Sequence, residues 1–99
     1  MFTIEMRKGA YAGNAVLTAK AETFQSAWAF AEGFSVGRTI MAGYWEKQSD
    51  GYVLDIYDWC EAWFPDAEPL ARIFASLETW QSSLHQPDFA GHVNPATQC

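Results

Sequence analysis

The sequence predicts an α+β domain in which a four-stranded antiparallel sheet packs one face against two main helices, in the order β-β-α-β-β-α. Two pairs of segments alternate apolar and polar residues with a period of two, which is typical of half-buried strands. One amphipathic segment separates these pairs and a second follows them. Paired hairpins with amphipathic helices favour an antiparallel sheet that is covered on one side.

The first predicted hairpin lies at the start of the chain. Phe2, Ile4 and Met6 alternate with polar residues, and segment 15–21 resumes an extended pattern. The small residues between them, 9–14, predict a turn of about five residues.

The first predicted helix follows this hairpin. Thr23 is a suitable N-cap residue, and Gly33 and Gly37 mark the end of the helix. Spacings of three and four residues place the apolar side chains on one stripe. These side chains are Phe24, Ala27, Trp28 and Ala31.

The second predicted hairpin joins segment 39–47 to the strand after Asp50-Gly51, a strong hairpin-turn signal. In segment 39–47, simple alternation predicts that Ile40, Ala42 and Tyr44 share one face. It places Met41 and Trp45 on the other. In the next strand, Tyr52, Leu54 and Ile56 share one face, opposite Val53, Asp55 and Tyr57.

The last part of the domain is predicted to be helical. Asp58 and Glu61 have the spacing of a capping box, which would open a short helical turn ending at Pro65. Asp66 would then cap the final helix. Its predicted stripe is Leu70, Ile73, Phe74, Leu77, Trp80 and Leu84. The prediction is therefore one domain over 1–86 and a poorly ordered tail over 87–99.

Composition restricts the classes of partner and the cellular location. The formal net charge of −6 argues against direct nucleic-acid binding and against an anionic membrane surface. No membrane-length apolar run or secretory signal is evident, so we expect a cytoplasmic location. Cys60 and Cys99 are interpreted as a buried and a terminal free thiol, with a disulfide between them as the alternative.

An acidic and aromatic stretch, Asp50–Glu68, is the candidate functional region. It holds six of the twelve acidic residues and no Lys or Arg. Carboxylates beside exposed aromatic rings suit a basic, Arg-rich protein surface. The predicted partner-binding residues are Asp50, Asp55, Asp58, Glu61, Asp66 and Glu68 as charges, with Trp45, Tyr57 and Trp63 as anchors.

Residue patterns for catalysis are missing from the sequence, which predicts a protein that is not an enzyme and uses no cofactor or metal. There is no glycine-rich phosphate loop, and His85 and His92 fit no zinc-ligand spacing. Two alternatives stay open. One is a domain that forms homodimers through an exposed sheet face, and the other is a small hydrolase that uses Asp55, Asp58 and Glu61.

The chain resembles the small inhibitor proteins of phages and other mobile elements, of the anti-CRISPR and antirestriction type. The resemblance covers its size, its acidity and its hairpin-helix-hairpin body, with segment 17–32 as the nearest local match. It implies a non-enzymatic protein that binds and inhibits a CRISPR effector or another nucleic-acid enzyme by blocking its basic groove. Because such inhibitors share no motif, the resemblance assigns no residue roles.

Overall fold

The computed structural model describes residues 1–7, 17–34 and 39–83. Within these residues it contains an antiparallel sheet of five strands and two helices, which confirms the α+β class. The elements are β1 (Phe2–Met6), β2 (Leu17–Ala21), α1 (Phe24–Phe34), β3 (Ile40–Gln48), β4 (Gly51–Asp58), β5 (Ala71–Ser76) and α2 (Leu77–Ser83).

The strand order is β2-β1-β5-β4-β3, and every neighbouring pair is antiparallel. Both predicted hairpins, β1–β2 and β3–β4, are therefore confirmed. β5 lies between them and pairs with β1 on one side and β4 on the other. The central strand thus joins two hairpins into one sheet.

The prediction of four strands and of a long final helix was wrong. Segment Ala71–Ser76 is a strand with alternating burial, and only Leu77–Ser83 is helical. Apolar residues in this region fit both periods, and the gap between β1 and β4 offers backbone hydrogen bonds on both sides. Ser76, not Asp66, caps α2: the backbone N–H of Thr79 donates to Ser76 Oγ at 3.2 Å.

The core occupies one face of the sheet, and both described helices pack there. The Phe24 ring of α1 lies 6.1 Å from the Phe2 ring of β1, and Trp80 of α2 lies 5.1 Å from Trp45 of β3. The predicted core positions Phe2, Ile4, Met6, Phe24, Ala27, Ala31, Leu54 and Ile56 are all buried.

α1 begins as its sequence predicts. The backbone N–H of Ser26 donates to Thr23 Oγ1 at 3.1 Å, and the N–H of Ala27 donates to the Thr23 carbonyl. The Thr23 carbonyl accepts the first intrahelical hydrogen bond, and its hydroxyl satisfies Ser26, one of the first-turn N–H donors that have no partner within the helix.

Replacing Thr23 with alanine is expected to lower the free energy of unfolding by about 1 kcal/mol, because one of these donors loses its acceptor. Thr23→Ser keeps the hydroxyl and should stay close to the wild type. Urea unfolding monitored by circular dichroism measures the difference. Equal stability of the alanine and serine variants would contradict the capping role.

The prediction that Tyr44 shares a face with Ile40 and Ala42, opposite Met41 and Trp45, was also wrong. The β3–β4 register shifts between Ala42 and Trp45, so that Ala42 pairs with Ile56 and Trp45 with Leu54. This irregularity puts an extra residue in β3, which reverses the alternation after it. Trp45 consequently packs on the core, while Tyr44 is 90% exposed.

Several sequence predictions fall outside the described residues. They are the turn at 9–14, the start of the second strand at 15–16, the helix end at Gly37, the domain boundary at 86 and the tail over 87–99. Neither described helix has the length and apolar character needed to cross a membrane.

Candidate protein-binding surface

The face of the sheet opposite the helices, called the open face below, is a candidate interaction surface. Because side chains alternate between the two faces of a strand, each of the five strands places the residues that do not face the core on this surface. Its members are Thr3, Glu5, Thr18, Lys20, Met41, Glu46, Val53, Asp55, Tyr57, Arg72 and Phe74.

The centre of the open face is apolar and its surroundings are charged. Phe74 lies between Thr3 and Val53 in register, and all three side chains are half-buried. In the neighbouring row, Arg72 lies between Glu5 and Asp55, and its Nε donates to Asp55 Oδ1 at 2.9 Å. An apolar centre with a charged rim is the arrangement common in protein interfaces.

Three shallow depressions that share lining residues form an acidic groove, which runs from this face to the β4–β5 loop. The first, of about 510 Å³, lies near the β3–β4 turn. It shares Glu5 and Arg72 with a second, of about 320 Å³, which reaches Glu68 and Arg7. Those two residues also line a third, of about 490 Å³, formed by the β4–β5 loop.

The groove carries a strong excess of negative charge. Its carboxylates are Glu5, Glu46, Asp50, Asp55, Glu61, Asp66 and Glu68. Its cations are Arg7 and Arg72, which already form ion pairs with Glu68 and Asp55. A cleft lined mainly by one charge attracts a partner of the opposite charge over several ångströms.

The pKa of Tyr57 reflects the negative charge of the neighbouring carboxylates. Its pKa is raised, first by burial and then by the negative charges of Asp55 and Glu46, while Arg72 opposes the shift. Because the raised pKa lies above the usual value for a phenol, Tyr57 stays neutral at physiological pH. It contributes a polar aromatic group, not a charge, to the open face.

The β4–β5 loop begins with the turn predicted from Asp58. Asp58 Oδ1 accepts a hydrogen bond from the backbone N–H of Cys60 at 2.9 Å. The Asp58 carbonyl accepts from Glu61 and Ala62. Asp58 therefore accepts hydrogen bonds at the start of the predicted turn, although the segment that follows is a series of turns and not a helix, and this half-buried carboxylate is directed into its own turn.

Two consecutive aromatic residues of the loop face solvent. Trp63 is 68% exposed and Phe64 is 60% exposed. The Trp63 ring contacts the buried Trp59 ring edge-on, with centroids 5.2 Å apart. This contact restricts the Trp63 side chain before any partner arrives, which lowers the entropic cost of binding.

The structure distributes the predicted binding residues over three environments. Asp50, Asp55 and Tyr57 lie on or beside the open face, and Glu61, Trp63, Asp66 and Glu68 belong to the loop. Asp58 caps the turn, and Trp45 belongs to the core. Asp50 and Asp58 lie at opposite ends of β4, roughly 25 Å apart.

Sequence reasoning missed several residues of the groove, among them Glu5, Glu46, Arg72 and Phe74. Glu5 was detectable, because it occupies a polar position in an alternating strand. Arg72 and Phe74 were not, because they reach the open face only when their segment is a strand. Glu46 reaches it through the register shift of β3.

The interpretation of Cys60 as a buried free thiol was wrong. Cys60 is exposed and disulfide-bonded. The other cysteine of the sequence, Cys99, lies outside the described residues. In the turn after β4, Trp59 takes the buried position and Cys60 is exposed.

Within residues 1–7, 17–34 and 39–83, no three His, Cys, Asp or Glu side chains are grouped closely enough to hold a metal ion. Comparisons with protein-family models, with curated proteins and with solved structures find no match to this chain.

Proposed function

We propose that this chain binds a basic protein surface through the acidic groove and inhibits a partner that binds nucleic acid, such as a CRISPR effector or another nucleic-acid enzyme. One observation carries the proposal: seven carboxylates and two already paired arginines line one groove. Binding alone would suffice for inhibition, so the proposal requires no catalytic step.

The physical basis is competition for the same cations. Nucleic-acid enzymes hold the phosphate backbone with clustered Lys and Arg side chains. Carboxylates along a groove offer those cations alternative partners, and the long-range attraction accelerates encounter. The half-buried Phe74 and Val53 at the centre add apolar contact area once the surfaces meet.

Homodimerisation through the open face is the alternative. The apolar strip around Phe74 favours it, since burial of exposed apolar area stabilises association. Charge opposes it, because two open faces would bring the carboxylates of both copies together. Binding to a basic partner weakens as salt rises, whereas face-to-face dimerisation of two acidic surfaces strengthens.

The cytoplasmic location belongs to the same proposal, because the expected targets act there. A disulfide is uncommon in a reducing cytoplasm. The proposal therefore also requires that the domain bind with Cys60 reduced. Cys60 is an exposed turn residue and does not belong to the core cluster.

The test compares two triple variants with equal changes in net charge. Glu5→Gln, Glu46→Gln and Asp50→Asn neutralise exposed carboxylates of the groove. Glu22→Gln, Glu32→Gln and Glu78→Gln neutralise exposed carboxylates outside it. We expect tagged wild type and the second variant to retain a nucleic-acid-binding protein from host lysate, and the groove variant to lose it by ten-fold or more, roughly 1.4 kcal/mol.

Purified captured protein then supplies the decisive measurement. Its binding to a labelled nucleic acid should be displaced by the wild type and not by the groove variant, and displacement should weaken as salt rises. Equal displacement by both folded variants would contradict the groove as the binding site. A dimer in solution, with no captured nucleic-acid-binding protein, would favour the homodimer alternative.

A further inference from the structure

The third depression of the groove combines an exposed aromatic ring with several carboxylates. It is lined by Arg7, Glu61, Phe64, Asp66, Ala67 and Glu68, and is called the loop pocket below. Its volume of about 490 Å³ is ample for one long side chain. Phe64 is 60% exposed and directly follows Trp63, which is 68% exposed, and adjoining exposed apolar residues are typical of an interaction surface.

Hydrogen bonds on both sides hold the backbone of Phe64. Its N–H donates to the Glu61 carbonyl at 3.1 Å, and its carbonyl accepts from Ala67 N–H at 3.1 Å. The Phe64 ring is therefore attached to a hydrogen-bonded turn, so its backbone loses little conformational freedom when a partner binds. Pre-organisation of this kind reduces the entropic cost of forming a contact.

The charges of the loop pocket are unbalanced. Arg7 forms an ion pair with Glu68, and the lining contains two further carboxylates, Glu61 and Asp66, both exposed. A second cation in the pocket would offset the negative charge of Glu61 and Asp66. Charge complementarity therefore selects a positively charged side chain as its occupant.

We infer that the loop pocket binds an arginine side chain of the basic partner in preference to a lysine. A guanidinium group is planar, stacks on an aromatic face and donates two parallel hydrogen bonds to a carboxylate. A lysine ammonium is a compact, strongly hydrated charge and uses the aromatic ring less well. This inference rests on the proposed function and names the chemistry by which one end of the groove recognises its partner.

Labelled oligo-arginine and oligo-lysine peptides of equal length test the inference, with affinities measured at the same ionic strength. The wild type is expected to bind oligo-arginine about two- to five-fold more tightly, the range for an exposed cation–π contact. Phe64→Leu keeps an apolar side chain and removes the ring face. The double variant Glu61→Gln, Asp66→Asn removes the charges, and both variants should bring the ratio close to one.

The matched control is Glu22→Gln with Glu78→Gln, which changes the net charge equally at exposed sites away from the groove. It should keep the wild-type preference. Equal affinity of the wild type for the two peptides would overturn the inference, as would a preference that persists in folded Phe64→Leu. In those cases, the proposed function is still supported if the groove triple variant (Glu5→Gln, Glu46→Gln and Asp50→Asn) no longer binds either peptide. If the triple variant binds both peptides like the wild type, the proposed function and the inference fail together.

Discussion

Gly51→Ala is expected to destabilise the domain by more than about 3 kcal/mol, because a side chain at this position meets backbone that cannot retreat. Gly51 opens β4 opposite Ser76 of β5. A Cβ there would overlap the carbonyl oxygen of Ala75 and lie 2.9 Å from Ser76 Cα. Relieving this overlap would require β4 to move away from β5, the central strand.

Gly43→Ala is the matched control within the same hairpin. Its Cβ would lie 3.5 Å from Tyr57 Cε2 and 3.6 Å from the Asp55 carbonyl oxygen, which are ordinary contacts. Neither glycine has a positive φ, so the two variants differ mainly in steric overlap. The control should stay within about 1 kcal/mol of the wild type in urea unfolding. A similar stability for both variants would show that the close approach of β4 and β5 at Gly51 is not rigid.

Phe24→Ala is expected to cost about 3–5 kcal/mol of unfolding free energy. Phe24 is only 1% exposed and connects α1 to both halves of the sheet. Its ring lies 6.1 Å from the Phe2 ring in β1 and 6.0 Å from the Trp45 ring in β3. Its loss would remove a large fraction of the total stability, which is typically about 5–15 kcal/mol for a domain.

Gln25→Ala controls for the change in helix composition, since Gln25 is the exposed neighbour of Phe24 on α1. It should change stability by less than about 0.5 kcal/mol. Near-ultraviolet circular dichroism should also change in Phe24→Ala, because Trp28 and Trp45 lose an aromatic neighbour. A small stability loss in Phe24→Ala would mean that the core closes around the cavity.

The position of β5 connects stability to the proposed binding. It fills the centre of the sheet with Ile73 on the core face, and it places Arg72 and Phe74 on the open face. The arginine compensates part of the charge of Glu5 and Asp55, while the ring supplies the apolar centre. One short strand thus completes the core and the acidic groove together.

Local patterns were sufficient where a residue's role depends on its neighbours in the chain. Alternation identified β1, and the Asp50-Gly51 signal located the β3–β4 hairpin, whose two turn residues are Ser49 and Asp50. Thr23 and Asp58 cap the turns that follow them, because a short polar side chain reaches backbone donors two or three residues away. Exposed carboxylates in the loop also follow from composition alone.

Tertiary structure decided the rest. Whether Ala71–Ser76 became helix or strand depended on two strand edges that are distant in sequence, since its apolar residues suit either period. The face taken by Trp45 depended on the register of β3 against β4. The sequence by itself therefore determined the hairpins, the local roles of Thr23 and Asp58 and the acidic character of the chain. Only long-range pairing decided the central strand and the groove, because backbone hydrogen bonds between distant segments outweigh local preference.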